Sequence, residues 1–190
     1  MKTILSFLIA ILTLTSTAFS QNNTLSGHVT YSNSAASPMH DSTAVYLMQG
    51  TALIRQTQVD SLGAFLFENV PAGVYLLKSV TTKVQGGINA VDCIGVLRNF
   101  AHYPPLLTGL QIVAADVNAS GGTSGSADAL MIARRFIGMI PNFMPPNVAQ
   151  PGGPDWVSEK FTLQIEENSV YTQDIRMLCS GDINGSFIPY

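Results

Sequence analysis

Residues 116–121 read Asp116-Val117-Asn118-Ala119-Ser120-Gly121, and a short loop connects them to Asp128 at the start of a helical pattern. Side chains that carry acceptor oxygens occupy the first, third and fifth positions, and glycine occupies the sixth. The same order begins again with Asp182, Asn184 and Ser186 near the end of the 190-residue sequence. The chain therefore contains one oxygen-rich loop and the first half of a copy.

Oxygens at positions 1, 3 and 5 followed by glycine at position 6 are typical of a calcium-binding loop. Ca²⁺ takes about six to eight oxygen ligands, and the glycine permits the sharp turn that brings them together. The same short pattern also forms ordinary Asx turns, in which an Asp or Asn side chain accepts a nearby backbone N–H. The duplication and the helix that follows favour calcium.

The region from residue 89 to residue 140 has helical periodicity and contains a repeat. Residues 91–100 align without a gap with residues 127–136 at an offset of 36, which pairs aspartate, arginine and phenylalanine. Apolar residues three or four apart share one helical face, and two such sets occur here: Ile94, Leu97 and Phe100, and Leu130, Ala133, Phe136 and Ile137. These sets predict two amphipathic helices that pack on each other.

The first 20 residues have the pattern of a secretory signal peptide. Lys2 precedes an apolar run from Ile4 to Leu14, and Ala18-Phe19-Ser20 provides a small-x-small cleavage site. The run is shorter than the roughly 20 residues that a membrane span needs. We therefore expect a secreted, extracellular protein with no membrane span in the mature chain.

Composition excludes one class of partner and predicts one covalent link. The net charge of -3 argues against nucleic acid, which would call for a basic stripe. Two cysteines, Cys93 and Cys179, remain after export, and an oxidising compartment favours a disulfide between them.

Residues 25–79 have the short alternating runs of β-strands. The runs are Leu25 to Tyr31, Ala44 to Met48, Ile54 to Val59, Ala64 to Phe67 and Val74 to Ser79. Turn residues separate them, as in Asp60-Ser61-Leu62-Gly63 and Pro71-Ala72-Gly73. This spacing predicts a small antiparallel β-sandwich. Two segments, Gly63-Ala64-Phe65-Leu66-Phe67 and Val70-Pro71-Ala72-Gly73-Val74-Tyr75, resemble the carboxypeptidase-regulatory-like, prealbumin-type sandwich. This resemblance implies a non-catalytic stalk or adhesion module.

The calcium pattern and the following helix resemble a type I dockerin, a duplicated calcium-loop-and-helix module that binds cohesin partners in polysaccharide-degrading assemblies. The resemblance rests on residues 115–121, 128–136 and 181–186. It implies that Asp116, Asn118 and Ser120 are side-chain calcium ligands, that Thr123 or Gly122 offers a carbonyl, and that Asp128 closes the loop. Strict spacing would place the closing residue at 127, so Asp128 comes one residue late.

The two incomplete copies are complementary. Upstream of Asp92 the first half of a loop is missing, because Thr81, Lys83 and Gln85 stand where the oxygen ligands belong. The C-terminal copy has Asp182, Asn184 and Ser186 but no closing half. We expect these three residues to meet Asn89 and Asp92 and form one split calcium site. Residues 182–190 then form a C-terminal strap, and the join would bring Cys93 and Cys179 together for the disulfide.

The remaining motifs do not indicate catalysis. The sequence has no G-x-S-x-G, H-E-x-x-H or phosphate-loop pattern. Asp155, Glu159, Glu166 and Glu167 are free carboxylates, for which we expect solvated positions rather than a glycosidase pair. Arg134 and Arg135 form a basic pair on the second helix, where they are either partner-contacting residues or an ordinary solvated face.

These observations predict a mixed α and β chain with three parts. A signal peptide (1–20) precedes a sandwich (21–80) and a dockerin-like module (81–190) with a strand insert at about 155–176. The expected function is non-catalytic, calcium-dependent docking onto a cohesin-like protein or surface scaffold, in a polysaccharide-degrading or cell-surface assembly. The alternative is a carbohydrate-binding or adhesin-type module whose dockerin-like part is structural.

Overall fold

A computed structural model describes residues 23–121, 125–143 and 155–190. The expected signal peptide, the carbonyl ligands Gly122 and Thr123, and most of the Pro/Gly-rich stretch before residue 155 lie outside these ranges. The described elements are β1 (Thr24–Tyr31), β2 (Thr43–Gln49), β3 (Ala52–Gln58), β4 (Ala64–Glu68), β5 (Gly73–Thr81), α1 (Ala90–Phe100), α2 (Leu110–Ala115), α3 (Ser126–Phe136), β6 (Trp156–Ser158), β7 (Lys160–Ile165), β8 (Val170–Thr172) and β9 (Ile175–Cys179).

The five strands expected in residues 25–79 are all present as β1 to β5. In β1, alternate side chains are fully buried, among them Leu25, Val29 and Tyr31. The turn between β3 and β4 forms because the Asp60 side chain accepts the backbone N–H groups of Leu62 and Ala64, both at 2.8 Å. Local alternation and turn chemistry therefore produce this part of the fold.

Two sheets enclose one continuous apolar core. The first has the order β4-β1-β9-β6, with β8 also beside β1, and the second has the order β3-β2-β5-β7. All pairs are antiparallel except those that β1 makes with β8 and β9. The fold is thus mixed and rich in strands, in agreement with a small β-sandwich.

The strands after residue 155 differ from the expected insert. β7 pairs with β5, and β9 pairs with β1, so these strands complete the two sheets instead of forming a separate strand pair. The physical reason is that β1 and β5 each have an edge left open by the first five strands, and an open edge presents unpaired N–H and C=O groups. β9 consequently carries the chain from the sandwich directly into the C-terminal strap.

The helices contribute to the same core as the strands, and their buried sides differ from the expected faces. α1 and α3 pack on each other, and α2 packs against β6 and β9. The buried apolar residues are Val96 on α1 and Ala129 and Ile132 on α3. The expected faces are largely outward: Ile94, Leu97 and Phe100 are 54%, 43% and 56% exposed, and Leu130 and Phe136 are 52% and 51% exposed. Val96, Ala129 and Ile132 belong to the buried core instead.

Within the described ranges, no helix combines the length and the apolar character that crossing a membrane requires.

Candidate metal centres

The candidate centres are built at the N-terminal ends of α1 and α3. Asp92 and Asp128 each occupy the third helical position, and each accepts the backbone N–H of the residue that caps its own helix. These bonds are Asn89 N to Asp92 Oδ2 and Gly125 N to Asp128 Oδ2, both 2.8 Å. The aspartates therefore use one carboxylate oxygen to hold the helix start, which leaves the other directed at the loop.

The first loop, residues 116–128, draws its ligand candidates together through backbone donors. Asp116 accepts the N–H of Ser120 on Oδ1 and the N–H of Gly121 on Oδ2, both at 3.0 Å. Ser120 Oγ lies 3.3 Å from Asp116 Oδ1. Asn118 N donates to Asp128 Oδ1 at 3.2 Å, so the opening and closing parts of the loop are joined.

The split loop, formed by residues 182–187 and 87–92, repeats these contacts atom for atom. Asp182 accepts the N–H of Ser186 on Oδ1 and the N–H of Phe187 on Oδ2, both at 3.0 Å. Ser186 Oγ lies 3.3 Å from Asp182 Oδ1, as in the first loop. Asn184 N donates to Asp92 Oδ1 at 3.1 Å and joins the two segments. The two incomplete copies thus do meet in space.

Backbone conformation supports the equivalence of the two loops. The residues at position 4, Ala119 and Gly185, both have positive φ, at 51° and 63°. Position 2 is occupied by Val117 and Ile183, which are both buried in the core. The second unit therefore repeats these features of the first, although its loop follows its helix in the chain instead of preceding it. The loops differ at position 6, where Gly121 has a φ of 72° and Phe187 does not have a positive φ.

One ligand candidate in the split loop was missed from the sequence. The carbonyl oxygen of Gly87 accepts Ser186 Oγ at 2.7 Å, which places a backbone oxygen beside the position-5 side chain. At the offset of 36, Gly87 corresponds to Thr123, the residue expected to offer a carbonyl in the first loop. Applying the helix offset to the loop would have identified this residue.

Asn89 was predicted to be a calcium ligand, but its side chain is engaged in hydrogen bonds with neighbouring residues. Its side-chain oxygen accepts the N–H of Val91 at 2.8 Å and caps α1. Its amide group donates to Ser186 Oγ at 3.1 Å and to the carbonyl of Gly87 at 2.8 Å. Asn89 therefore organises the candidate ligands, and the Gly87 carbonyl is better placed as an additional oxygen donor.

Three of the four carboxylates at these centres are buried without a cationic partner among the described residues. Asp92 and Asp182 are fully buried and Asp128 is 2% exposed. In the described part of the chain, no basic side chain forms an ion pair with any of the three. Burial raises the pKa of Asp92 from 3.8 to about 6; backbone N–H donors oppose this rise, and the nearby Asp182 carboxylate adds to it. Buried charges in proteins are normally paired or coordinate metals.

The candidate ligand atoms at these centres are all oxygens, from carboxylate, amide, hydroxyl and backbone carbonyl groups. Among the described residues, no group of three or more His, Cys, Asp and Glu side chains forms a metal site. Each loop supplies two carboxylates together with Asn and Ser side chains, and the split loop adds the Gly87 carbonyl. This is the donor set of a hard cation such as Ca²⁺ and not of zinc. The residues present fit calcium better than a transition metal.

The split loop is attached to the sandwich core through Tyr31. The Tyr31 hydroxyl donates to Asp182 Oδ2 at 2.6 Å and accepts the N–H of Cys179 at 3.1 Å. Its ring makes edge contacts with Trp156 and Phe187, at centroid distances of 5.8 and 5.7 Å. Trp156 is fully buried, and its indole N–H donates to the Lys83 carbonyl at 3.0 Å, so it is a packing residue rather than an exposed sugar-stacking platform.

The expected disulfide is absent, since Cys93 and Cys179 are both free thiols. Cys179 is buried at the end of β9, and its Sγ accepts the N–H of Gly86 at 3.4 Å. The thiol therefore lies against the segment that precedes α1. Burial also raises the pKa of Cys179 to about 12, which keeps it protonated and unreactive. Hydrogen bonds and core packing hold the two segments together without the covalent link.

The two arginines on α3 are not equivalent. Arg134 is exposed. Arg135 lies 3.7 Å from the buried carboxylate of Asp155 and over the ring of Phe143, and its side chain is 16% exposed. Asp155 is accordingly a buried ion-pair partner and not the solvated carboxylate expected from the sequence. Of the pair, Arg134 is the residue available to a partner.

No family model matches the chain, and comparison with curated proteins finds no relative.

Proposed function

We propose that this protein is a secreted, non-catalytic calcium-binding protein that docks onto a cohesin-like protein or surface scaffold. The observation that carries the proposal is the pair of loops with matched carboxylate contacts. Asp116 makes the same contacts within the first loop as Asp182 makes within the split loop. Asp128 and Asp92 likewise accept equivalent backbone N–H groups. Two loops that share donor chemistry but not chain order indicate selection for the same ligand.

Calcium would bind to the side-chain oxygens of positions 1, 3 and 5, the closing aspartate and one backbone carbonyl in each loop. It would relieve the unpaired charge of the buried carboxylates. Binding to the folded state alone would stabilise that state by linkage, by about 2.7 kcal/mol when free calcium is 100 times the dissociation constant.

The outward faces of α1 and α3 supply the docking surface in this proposal. Ile94 and Leu130 correspond to each other at the offset of 36, as do Phe100 and Phe136, and all four are more than half exposed. Arg134 is exposed beside them, and its counterpart Arg98 is exposed on α1. Exposed apolar surface rimmed by polar residues is typical of protein–protein interaction sites. The duplication gives the partner two related surfaces of similar chemistry.

Thermal melting with and without a chelator tests the calcium part of the proposal. We expect EDTA to lower the melting temperature and excess Ca²⁺ to restore it, whereas Mg²⁺ at the same concentration has a smaller effect. An unchanged melting temperature in EDTA would refute calcium binding.

Capture of cohesin-like proteins, compared with glycan-array binding, tests the docking part. We expect capture in Ca²⁺ and its loss in EDTA. Ile94→Ser combined with Leu130→Ser should abolish capture, and Leu62→Ser, an exposed apolar residue in the turn before β4, serves as the control. Glycan binding without protein capture would instead support the adhesin-type alternative.

A further inference from the structure

Tyr31 is a sandwich residue whose hydroxyl reaches a candidate ligand. It is the last residue of β1, and its side chain is fully buried. Its hydroxyl is satisfied on both sides, since it donates to Asp182 Oδ2 and accepts the N–H of Cys179.

Among the described residues, no sandwich side chain donates a hydrogen bond to Asp116, the opening aspartate of the first loop. Within the described residues, the hydrogen bonds that the Asp116 side chain accepts come from Ser120 and Gly121, which belong to the loop itself. Asp116 is only half-buried, whereas Asp182 is fully buried. The two loops thus share their internal geometry but differ in what holds the position-1 carboxylate.

We propose that Tyr31 is a positioning residue for the split loop and couples calcium binding there to the stability of the sandwich. This inference rests on the proposed calcium function. The Tyr31 hydroxyl fixes the orientation of the Asp182 carboxylate, so the ligand is already aimed before the ion arrives. Removing a hydrogen bond that orients a metal-ligating side chain commonly weakens metal affinity by about 10- to 100-fold.

The coupling runs in both directions. Phe187, the residue after the position-5 serine, packs on Tyr31 and also on Trp156, at a centroid distance of 6.2 Å. An ion that orders the strap therefore also orders the contacts of β1 and β6. By linkage, if calcium binding favours formation of those contacts by a given factor, their formation favours calcium binding by the same factor.

The test is calcium titration calorimetry on Tyr31→Phe, which keeps the ring and removes only the hydroxyl. The substitution is measured first in the Asp116→Ala background, where the split loop is the remaining calcium site. It is then measured in the otherwise unchanged protein, where both loops are present. We expect about tenfold weaker binding at the split loop and unchanged binding at the first loop. Tyr75→Phe is the matched control, because the Tyr75 hydroxyl bonds the Pro71 carbonyl away from both loops.

Amide hydrogen exchange provides a second readout that does not depend on the affinity fit. In the wild-type protein, Ca²⁺ should slow exchange of the amides of Tyr31 and Ser32, whose carbonyl partners belong to Ser37 and Met177. In Tyr31→Phe this calcium-dependent slowing should be lost while exchange in β2 and β5 stays unchanged.

The outcomes separate the inference from the function on which it rests. Two-site calcium binding with equal affinities in Tyr31→Phe and Tyr75→Phe would overturn the role of Tyr31 and leave the proposed function intact. Absence of calcium binding in the wild-type protein would overturn both. If Tyr31→Phe fails to fold even in excess Ca²⁺ while Tyr75→Phe folds, Tyr31 is a core residue without a positioning role, and the inference is wrong.

Discussion

Asn184 donates its backbone N–H to Asp92 Oδ1 at 3.1 Å, although 92 residues separate the two in the chain. The same bond joins Asn118 to Asp128 within a single loop, at 3.2 Å across 10 residues. An identical contact therefore closes one loop locally and another through the tertiary fold. The closing contact of the split loop therefore forms only when the chain has folded, whereas that of the first loop is local in sequence.

Substitution of the opening aspartate of each loop should distinguish the two candidate calcium sites. Asp116→Ala and Asp182→Ala should each reduce the calcium stoichiometry from two to one, as measured by calorimetry. In EDTA, Asp116→Ala should cost about 1 kcal/mol or less, because its backbone donors can turn to water. Asp182→Ala should cost about 3 kcal/mol or more, because the buried Tyr31 hydroxyl and the part-buried N–H groups of Ser186 and Phe187 lose their acceptor. Equal losses of stability would contradict the difference in burial.

Gly87→Ala should damage the split loop specifically. Gly87 has a φ of +83°, and an added Cβ would lie 2.2 Å from Asp182 Oδ2. Gly50→Ala is the matched control, because Gly50 has a φ of +59° and open space around it. Both substitutions carry the left-handed backbone cost of about 1–2 kcal/mol. Gly87→Ala should cost about 1–3 kcal/mol more through overpacking, measured by urea denaturation.

The calcium readout of Gly87→Ala provides an independent check. Affinity at the split loop should fall, and affinity at the first loop should remain unchanged. Similar stabilities and affinities for Gly87→Ala and Gly50→Ala would show that the approach of Gly87 to Asp182 is not required.

The pH dependence of stability should report the burial of Asp92. Its pKa is about 6 in the folded protein and near 3.8 when exposed, so between these values the folded state binds the extra proton. The contribution of this residue to the free energy of unfolding is therefore full below about pH 4 and decreases as pH rises to about 6, by at most about 1.4 kcal/mol per pH unit. Above about pH 6, the contribution of Asp92 to the free energy of unfolding no longer changes with pH.

Comparison of wild type with Asp92→Asn isolates this effect. In EDTA, the stability of Asp92→Asn relative to wild type should rise between pH 4 and pH 7, as measured by denaturant titration. With excess Ca²⁺ the wild-type protein should gain more stability at pH 7 than at pH 5, because the ion requires the ionised carboxylate. Parallel curves for the two proteins in EDTA would exclude a perturbed Asp92.

The arginine pair on α3 should divide into a structural and an exposed residue. Arg135→Ala should lower stability by about 1–3 kcal/mol, because the buried Asp155 loses its charged partner but keeps donors from Gln85 and the Phe143 backbone. Arg134→Ala should leave the melting temperature nearly unchanged. If Arg134→Ala is as destabilising as Arg135→Ala, the difference in burial has no energetic consequence.

Local patterns in the sequence predicted the strands β1 to β5, the helical region and the composition of both loops. These features depend on interactions between residues close in the chain: alternation, turn chemistry, capping and the fixed spacing of side-chain oxygens. Complementary defects in the two loop copies also indicated that residues 182–186 meet Asn89 and Asp92, because each segment lacked what the other carried.

Only the tertiary structure decided how these pieces are joined. Pairing of β7 with β5 and of β9 with β1 depends on which sheet edges remain open, and local alternation does not specify a partner. The outward position of Ile94 and Phe100 depends on which side of α1 fits closely against α3. The bond from Tyr31 to Asp182 spans 151 residues and arises because β9, paired in parallel with β1, delivers the strap to the end of that strand.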